Sequence, residues 1–264
     1  DTHSRDLAWV EKNLPPKKRV AITDITSAYA VLSIQGPRSR DLLASVSDAD
    51  LSNEAFPFLT SQEISVGYAL VIAKRVTFIG ELGWELHIPS EFAQSVFDVL
   101  LHAGQAFGLR LAGYHALEHL RCERAYREFG LDLAPDDTPF EAGLGFTVKM
   151  DKLGGFIGRD ALVSQHGKVL NKRLVMFKLA DSKAALFHDE LIRLEGNIVG
   201  YLSSGAYGFT LGHAVGMGYV HYPAGVTKEL VENGQFEIEI ACERYPAVAS
   251  LQAFYDPSGA RVKK

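Results

Sequence analysis

The stretch RVTFIGELGWEL at positions 75–86 decides the fold of the first part of the chain. It predicts a β-hairpin, because two apolar runs flank a short turn that is bracketed by Gly80 and Gly83. A hairpin of this kind needs further strands or a helix beside it before it is stable in water. We take this hairpin as the element around which the rest of the chain is organised.

The second strand of this hairpin has two faces of opposite character, because successive side chains of a strand point to opposite sides. Trp84, Leu86 and Ile88 share the apolar face, and Glu85 and His87 share the polar one. A carboxylate with apolar neighbours needs a hydrogen-bond donor, since an unpaired buried charge costs several kcal/mol. Taken alone, the stretch favours an edge strand with Glu85 in water, because glutamate is mostly exposed in proteins.

The bulk composition is that of an ordinary globular protein. The chain has 264 residues, of which 47% are apolar and 22% charged, and its formal net charge is −5. This charge gives no electrostatic argument for nucleic acid or an anionic membrane as a partner. Cys122 and Cys242 lie far apart without a C-x-x-C motif, which argues against a disulfide scaffold and fits a reducing compartment. We expect no membrane span and no signal peptide.

The order of elements predicts an α+β region followed by an all-β region. Outside the hairpin, we expect helices and strands in alternation: helices from Ser4 and over 39–46, 92–107 and 114–126, and strands over 20–22, 29–34, 63–71 and 147–150. A polar linker at 168–172 precedes short strands at 173–179, 191–194, 198–203, 214–220, 236–241 and 246–253. Short strands at regular spacing with glycine turns are typical of a small antiparallel barrel or sandwich.

The helix predicted at 114–126 carries the residues most suggestive of chemistry. His115, Glu118 and His119 spell H-x-x-E-H, the inverted zinc-protease motif. No separate third ligand is marked, so we do not expect a metal site there. Helical spacing alone favours Glu123 as an exposed residue in a surface ion pair.

Other cofactor motifs are missing from the sequence. The run at 154–159 lacks both G-x-G-x-x-G and the P-loop lysine, and no dinucleotide fingerprint occurs elsewhere. The acids between positions 132 and 141 lack the alternating pattern of a calcium loop. A flavin or nicotinamide would therefore have to be held by another chain or segment.

Several stretches together resemble one known family. They are SIQGP at 33–37, LSNEAFPF at 51–58, GELGWEL at 80–86, PDDTPFEAGL at 135–144, FIGRDAL at 156–162 and YDP at 255–257. In combination they resemble the folate-binding half of sarcosine and dimethylglycine dehydrogenases, which is itself similar to the aminomethyltransferase, or T protein, of the glycine cleavage system. The resemblance implies an aminomethyltransferase-like cloverleaf over 1–167, with its N-terminal part missing, and a C-terminal antiparallel β-barrel over 172–264.

The resemblance also implies roles for three acids. Glu85 matches the carboxylate that grips the pterin of folate, whose ring N–H and amino group form a paired donor edge. By the same match, Glu123 is expected to reach the bound folate. Asp6 matches the carboxylate proposed as catalytic, although its sequence position alone favours a first-turn acid that suits the helix dipole.

Four aromatic residues and one lysine complete the implied site. Phe78 and Phe146 would stack on the flat rings of folate, and Phe78 stands where the family often has tyrosine. Trp84, beside Glu85, and Tyr126, on helical spacing, are further expected contacts. Lys152 lies where a basic residue of the family meets the glutamate tail.

The implied function is one-carbon transfer to tetrahydrofolate. The module would capture the methylene or formaldehyde unit released by oxidative demethylation of sarcosine or dimethylglycine, with FAD held only by an upstream flavin domain that is absent from this chain. We expect a location in bacterial cytoplasm or the mitochondrial matrix. Two alternatives remain: a non-catalytic regulatory subunit, as in pyruvate dehydrogenase phosphatase, and a flavin-independent, folate-dependent demethylase.

Overall fold

The structure, a computed structural model, describes residues 2–181 and 184–264 and mixes helices with sheets as expected. Its α-helices are α1 His3–Lys12, α2 Ser39–Ala44, α3 Ala93–Gly104, α4 Tyr114–Glu123, α5 Arg159–Gln165 and α6 Lys228–Asn233. Its strands are β1 Tyr29–Gln35, β2 Ser61–Val66, β3 Ala69–Lys74, β4 Gly83–Pro89, β5 Lys172–Leu179, β6 Leu191–Leu194, β7 Asn197–Gly208, β8 His213–His221, β9 Phe236–Ile240 and β10 Glu243–Ser250. None of the described helices combines the length and hydropathy of a membrane-spanning segment.

The chain forms two compact units. The first comprises Asp1–Ile34, Asp41–Arg75 and Trp84–Gly108, and the second comprises Gln35–Arg40, Val76–Gly83 and Leu109–Lys264. The division predicted from sequence, at 167 and 172, follows a change in strand pattern rather than this clustering and stays a prediction.

Strands β1 to β4 form a sheet with the order β1-β4-β3-β2. Strands β2 and β3 are antiparallel neighbours joined at Gly67, which has a positive φ of 58°. The single strand predicted over 63–71 was therefore wrong, because the glycine allows a tight reversal in the middle of the apolar run. Strand β4 pairs with β3, with Ala73 opposite Leu86.

The first half of the predicted central hairpin is a loop, so that part of the prediction was wrong. The hydroxyl oxygen of Thr77 accepts hydrogen bonds from the backbone N–H groups of Ile79 (3.2 Å) and Gly80 (3.0 Å). These local bonds compete with a strand ladder, and Gly80 has a left-handed φ of 74°. The apolar run was mistaken for a strand because the partner of β4 lies one segment earlier, in β3.

Three smaller predictions also differ from the structure. Residues 20–22 form no strand, and Val20 is largely exposed there. A short 3-10 helix, Gly145–Thr147, occupies the start of the predicted strand at 147–150. The N-cap position of α1 is Thr2 rather than Ser4, and Thr2 makes no side-chain capping bond.

The C-terminal region is a closed antiparallel barrel with the strand order β10-β5-β8-β7-β6-β9. Closure requires neighbouring strands to approach closely: a Cβ atom added to Gly200 would lie 1.9 Å from the carbonyl oxygen of Tyr219. Inward side chains fill the interior, and the rings of Phe177 and Phe236 meet edge to face at 5.5 Å. The barrel is thus confirmed, and the sandwich alternative is excluded.

Candidate functional site

Glu85 occupies the polar face of β4, as the strand period predicted. Its side chain is 32% exposed, whereas Trp84 and Leu86 on the opposite face are fully buried. His87 lies on the same face, with its Nε2 4.0 Å from Glu85 Oε2. Within the described ranges the carboxylate of Glu85 receives no hydrogen bond. The strand thus holds an acceptor whose lone pairs remain available.

His87 does not neutralise this carboxylate at neutral pH. Burial lowers the pKa of His87, and the neighbouring Lys74 lowers it further, while Glu85 opposes the shift. Lys74 lies directly opposite Glu85 on β3. The imidazole is therefore uncharged near pH 7 and forms no ion pair with the Glu85 carboxylate.

Trp84 does not form part of a ligand surface, which corrects the sequence-based expectation. It is fully buried and packs edge to face on Phe56, with a ring-centroid distance of 6.1 Å. The guanidinium carbon of Arg75 lies 5.7 Å from the tryptophan ring centroid. Trp84 therefore anchors β4 in the core and fixes the direction in which Glu85 points.

Asp6 lies in the first turn of α1, where the sequence placed it. It is 55% exposed, and Arg5 donates to its Oδ1 from Nε (3.0 Å) and Nη2 (2.6 Å). The hydrogen bond from Arg5 is the main reason that the pKa of Asp6 is lowered. The catalytic role of Asp6 stays a prediction.

Glu123 is almost completely buried, so the expectation of an exposed ion pair was wrong. Its Oε1 accepts hydrogen bonds from the backbone N–H groups of Thr210 (2.8 Å) and Leu211 (3.0 Å), and its Oε2 lies 3.2 Å from Thr210 Oγ1. Both oxygens are thus used to hold the loop between β7 and β8. The contact with folate that the resemblance implied for Glu123 stays a prediction.

Two of the predicted aromatic residues do lie together in the second unit. The rings of Phe78 and Tyr126 are 6.5 Å apart and tilted by 45°. The guanidinium of Arg124 lies 5.7 Å from the ring centroid of Tyr126 and 5.7 Å from that of Tyr255. Phe78 and Tyr126 are partly exposed, so their rings are accessible as flat apolar surfaces.

The sequence did not indicate Arg124 as the organiser of this ring group. Its Nη1 donates to the carbonyl oxygens of Tyr255 (3.0 Å) and Asp256, and pairs with Asp256 Oδ2 at 3.0 Å. Tyr255 in turn donates to Glu81 Oε1 at 3.0 Å. Arg124 therefore connects the rings of Phe78 and Tyr126 to the C-terminal segment. Its partner Asp256 lies 132 positions further along the chain.

Phe146 lies in the 3-10 helix Gly145–Thr147, and Lys152 lies in the segment that follows this helix. The Phe146 ring is 84% exposed, and Lys152 is also exposed. The exposed ring offers a face for stacking. Their roles as ligand contacts stay predictions.

A second charged group that the sequence did not reveal surrounds Arg121. This arginine is buried and donates to Glu118 Oε2 (2.6 Å), to Asp132 Oδ2 (2.5 Å) and to Ser204 Oγ (2.9 Å). Glu118 is thereby engaged by a guanidinium. His119, the other informative member of the H-x-x-E-H motif, places Nδ1 2.8 Å from the carbonyl oxygen of Tyr207. In the structure, Glu118 of this motif forms an ion pair with Arg121, three residues further along the helix.

Comparison with known proteins identifies the family. The family described as GCVT N-terminal domain matches residues 1–152. The family described as Glycine cleavage T-protein C-terminal barrel domain matches residues 172–256. The chain belongs to the glycine cleavage T-protein family. This membership confirms the resemblance inferred from the sequence motifs, and the second match coincides with the closed barrel.

Individual relatives of this T-protein family member are much longer proteins. The chain is 40% identical over 262 residues to 4-methylaminobutanoate oxidase (formaldehyde-forming) from Paenarthrobacter nicotinovorans, covering 99% of the chain and 31% of the relative. It is 41% identical over 249 residues to mitochondrial sarcosine dehydrogenase from Homo sapiens, covering 94% and 27%. It is 39% identical over 256 residues to the mitochondrial pyruvate dehydrogenase phosphatase regulatory subunit from Mus musculus, covering 92% and 29%. The chain thus spans less than a third of these relatives.

A solved structure supports the fold of this T-protein family member. The glycine cleavage system aminomethyltransferase T from Bartonella henselae matches with a TM-score of 0.77 at 24% identity, covering 93% of this chain and 64% of that one. At this identity the likeness concerns the fold alone. It agrees with the mixed sheet-and-helix architecture and the barrel described above.

Proposed function

We propose that this chain binds reduced folate and serves as the one-carbon transfer module of a longer protein. The observation that carries the proposal is Glu85, a charged carboxylate without a hydrogen bond in the described chain, held rigidly by a strand whose other face is buried. A free carboxylate on a rigid element is suited to bind a planar group that presents two parallel donors. The pterin of folate presents such an edge.

Other residues that the resemblance implied lie in the second unit and offer further groups that folate needs. Phe78, Tyr126 and Phe146 offer partly or largely exposed rings that can stack on flat heterocycles. Lys152 is an exposed cation suited to an anionic tail. Tetrahydrofolate, when bound, supplies the amine nitrogens that take up a one-carbon unit at the formaldehyde oxidation level.

The chemistry of the relatives suggests where that unit comes from. Their names include an oxidase of 4-methylaminobutanoate that forms formaldehyde and a dehydrogenase of sarcosine, both of which act on an N-methylamino carboxylate. We propose that the methyl group of sarcosine, dimethylglycine or a similar amine is oxidised elsewhere in the longer protein, where FAD would be held. This chain would then receive the released methylene or formaldehyde unit.

Calorimetry of this chain with 5-formyltetrahydrofolate tests the proposal directly. We expect Glu85→Gln to weaken binding by about 1.5–3 kcal/mol, or roughly 10- to 150-fold, since a charge-assisted hydrogen-bond pair is lost. Glu63→Gln is the matched control, because Glu63 is an exposed glutamate on β2 of the same sheet. Equal affinity of the Glu85 variant and the control would remove Glu85 from the site.

A second candidate function is a non-catalytic regulatory role, which the 39% identity to a phosphatase regulatory subunit favours. A regulatory subunit of that kind does not need a folate-binding site. If the folded chain binds no reduced folate in the calorimeter, the one-carbon proposal fails and the regulatory role becomes the better explanation.

A further inference from the structure

A cavity of about 450 Å³ lies in the second unit, beside the end of α5 and the start of β5. None of the residues proposed above for folate lines it. Its walls include apolar side chains, among them Phe140, which packs edge to face against His166 with 5.5 Å between ring centroids. Gly145 leaves room for this ring, since a Cβ there would lie 2.9 Å from Phe140.

Further lining residues come from the segments at 168–171 and 222–227, which backbone hydrogen bonds hold together. Val226 N donates to Leu170 O at 2.7 Å, and Tyr222 N donates to Asn171 O at 2.9 Å. Gly225 packs tightly under Val169, because a Cβ added there would lie 2.0 Å from the valine Cγ1. The cavity is therefore a fixed feature of the barrel rim.

Arg173 is a partly buried charged residue that lines this cavity. In residues 2–181 and 184–264 its guanidinium makes no hydrogen bond or ion pair, and its Nε is buried without an acceptor. Burial alone lowers the pKa of Arg173, with no carboxylate acting against it. A partly buried guanidinium remains charged, so it loses hydration without compensation unless an anion binds.

The surroundings of Arg173 match this need for an anion. No aspartate or glutamate lines the cavity among the described residues, whereas Lys168 and His166 lie at its exposed rim. Two carbonyls at the end of α5 already accept hydrogen bonds: His166 N donates to Leu162 O (2.9 Å) and Lys168 N to Gln165 O (3.1 Å). The side chain of Gln165 also lines the cavity, and its Oε1 is buried without a donor.

We propose that this cavity binds an organic carboxylate with an apolar or aromatic body, whose carboxylate is taken by Arg173. The planar guanidinium fork matches a carboxylate with two parallel hydrogen bonds, and one positive charge balances one negative charge. The apolar walls around Phe140 and Val226 accommodate the rest of the ligand. A flipped amide of Gln165 presents its NH₂ group as an additional donor.

Benzoate is the probe for this site, with neutral benzamide as its matched analogue and inorganic phosphate as a non-carboxylate oxyanion. Binding to the whole chain is followed by ligand-observed NMR or calorimetry. We expect benzoate to bind, benzamide to bind at least roughly tenfold more weakly, and phosphate to bind more weakly than benzoate. No benzoate binding, or equal binding of benzamide, overturns the proposal, and tighter binding of phosphate overturns the carboxylate assignment.

Arg173→Met is the decisive variant, because methionine keeps the apolar stem and removes the unpaired charge. We expect it to lose benzoate affinity by at least roughly tenfold while its melting temperature stays the same or rises. Arg244→Met, which alters an arginine that is 49% exposed on β10, should bind benzoate as the unaltered chain does. Unchanged benzoate affinity in the folded Arg173 variant contradicts the proposal. Reduced-folate binding should survive in Arg173→Met, so failure of this inference and failure of the proposed function are distinguishable.

Discussion

At the scale of single residues, local periodicity predicted side-chain direction but not burial. The two faces of β4 followed from the strand period, so the exposure of Glu85 opposite Trp84 was predictable. The burial of Glu123 was not, because its donors Thr210 and Leu211 lie 87 and 88 positions away. Arg121 is similar, since Asp132 and Ser204 are brought to it only by the folded chain.

Glu118 and Glu128, two carboxyl groups beside Arg121, predict how the stability of the protein depends on pH. Burial raises the pKa of Glu128, and the neighbouring Glu118 raises it further, while Arg121 pulls it down. A carboxyl group with a raised folded-state pKa contributes stability below its ordinary pKa of about 4.5 and loses that contribution as the pH rises through the folded-state value. Ionised Glu128 is therefore destabilising at pH 7.

We expect Glu128→Gln to raise the free energy of unfolding at pH 7, by up to about 1 kcal/mol for a partly exposed group. The gain should shrink on acidification and vanish below about pH 4.5, where Glu128 is protonated in both states. Glu243→Gln is the control, because Glu243 also accepts a tyrosine hydroxyl, that of Tyr245 at 2.8 Å. Urea unfolding across this pH range measures both variants, and a gain independent of pH would contradict the assignment.

At the scale of elements, the segment between β3 and β4 shows how a loop can resemble a strand in sequence. Residues 75–79 are apolar enough for a strand, yet Thr77 closes a local turn and Gly80 adopts a left-handed conformation. Gly80 is needed for a second reason: a Cβ there would lie 2.1 Å from Arg124 Nε. The other end of Arg124 is held by Asp256, so the side chain has little freedom to move aside.

Gly80→Ala should therefore destabilise the protein more than its backbone conformation alone explains. Gly212→Ala is the matched control, since Gly212 has a φ of 71° against 74° for Gly80 but nothing within 4 Å of the added Cβ. Both variants carry the cost of a left-handed alanine, and Gly80→Ala adds an overpacking cost of about 1–3 kcal/mol. Thermal and urea unfolding measure the difference, and equal destabilisation would show that Arg124 yields without cost.

At the scale of the whole molecule, repeated short strands predicted the barrel, but its closure depends on pairings remote in sequence. The hairpin turn at residues 195–197 was predictable from Gly196, and β6 and β7 pair across it. The pairing of β6 with β9 and of β10 with β5 was not, since no local signal specifies either neighbour. The cavity beside Arg173 depends on the contacts of Val226 and Tyr222 with Leu170 and Asn171 and was likewise invisible in the sequence.

In a closed barrel, each strand presents one face to a shared interior. The same substitution on an inner and an outer face tests this arrangement. Val175 on β5 is fully buried in the barrel core, whereas Val248 on the neighbouring β10 is 54% exposed. Val175→Ala should lower the free energy of unfolding by about 2 kcal/mol or more, because two methyl groups leave a cavity that close packing cannot fill. Val248→Ala should change it by less than about 0.5 kcal/mol. Comparable effects in urea unfolding would mean that the inner and outer faces of β5 and β10 are assigned wrongly.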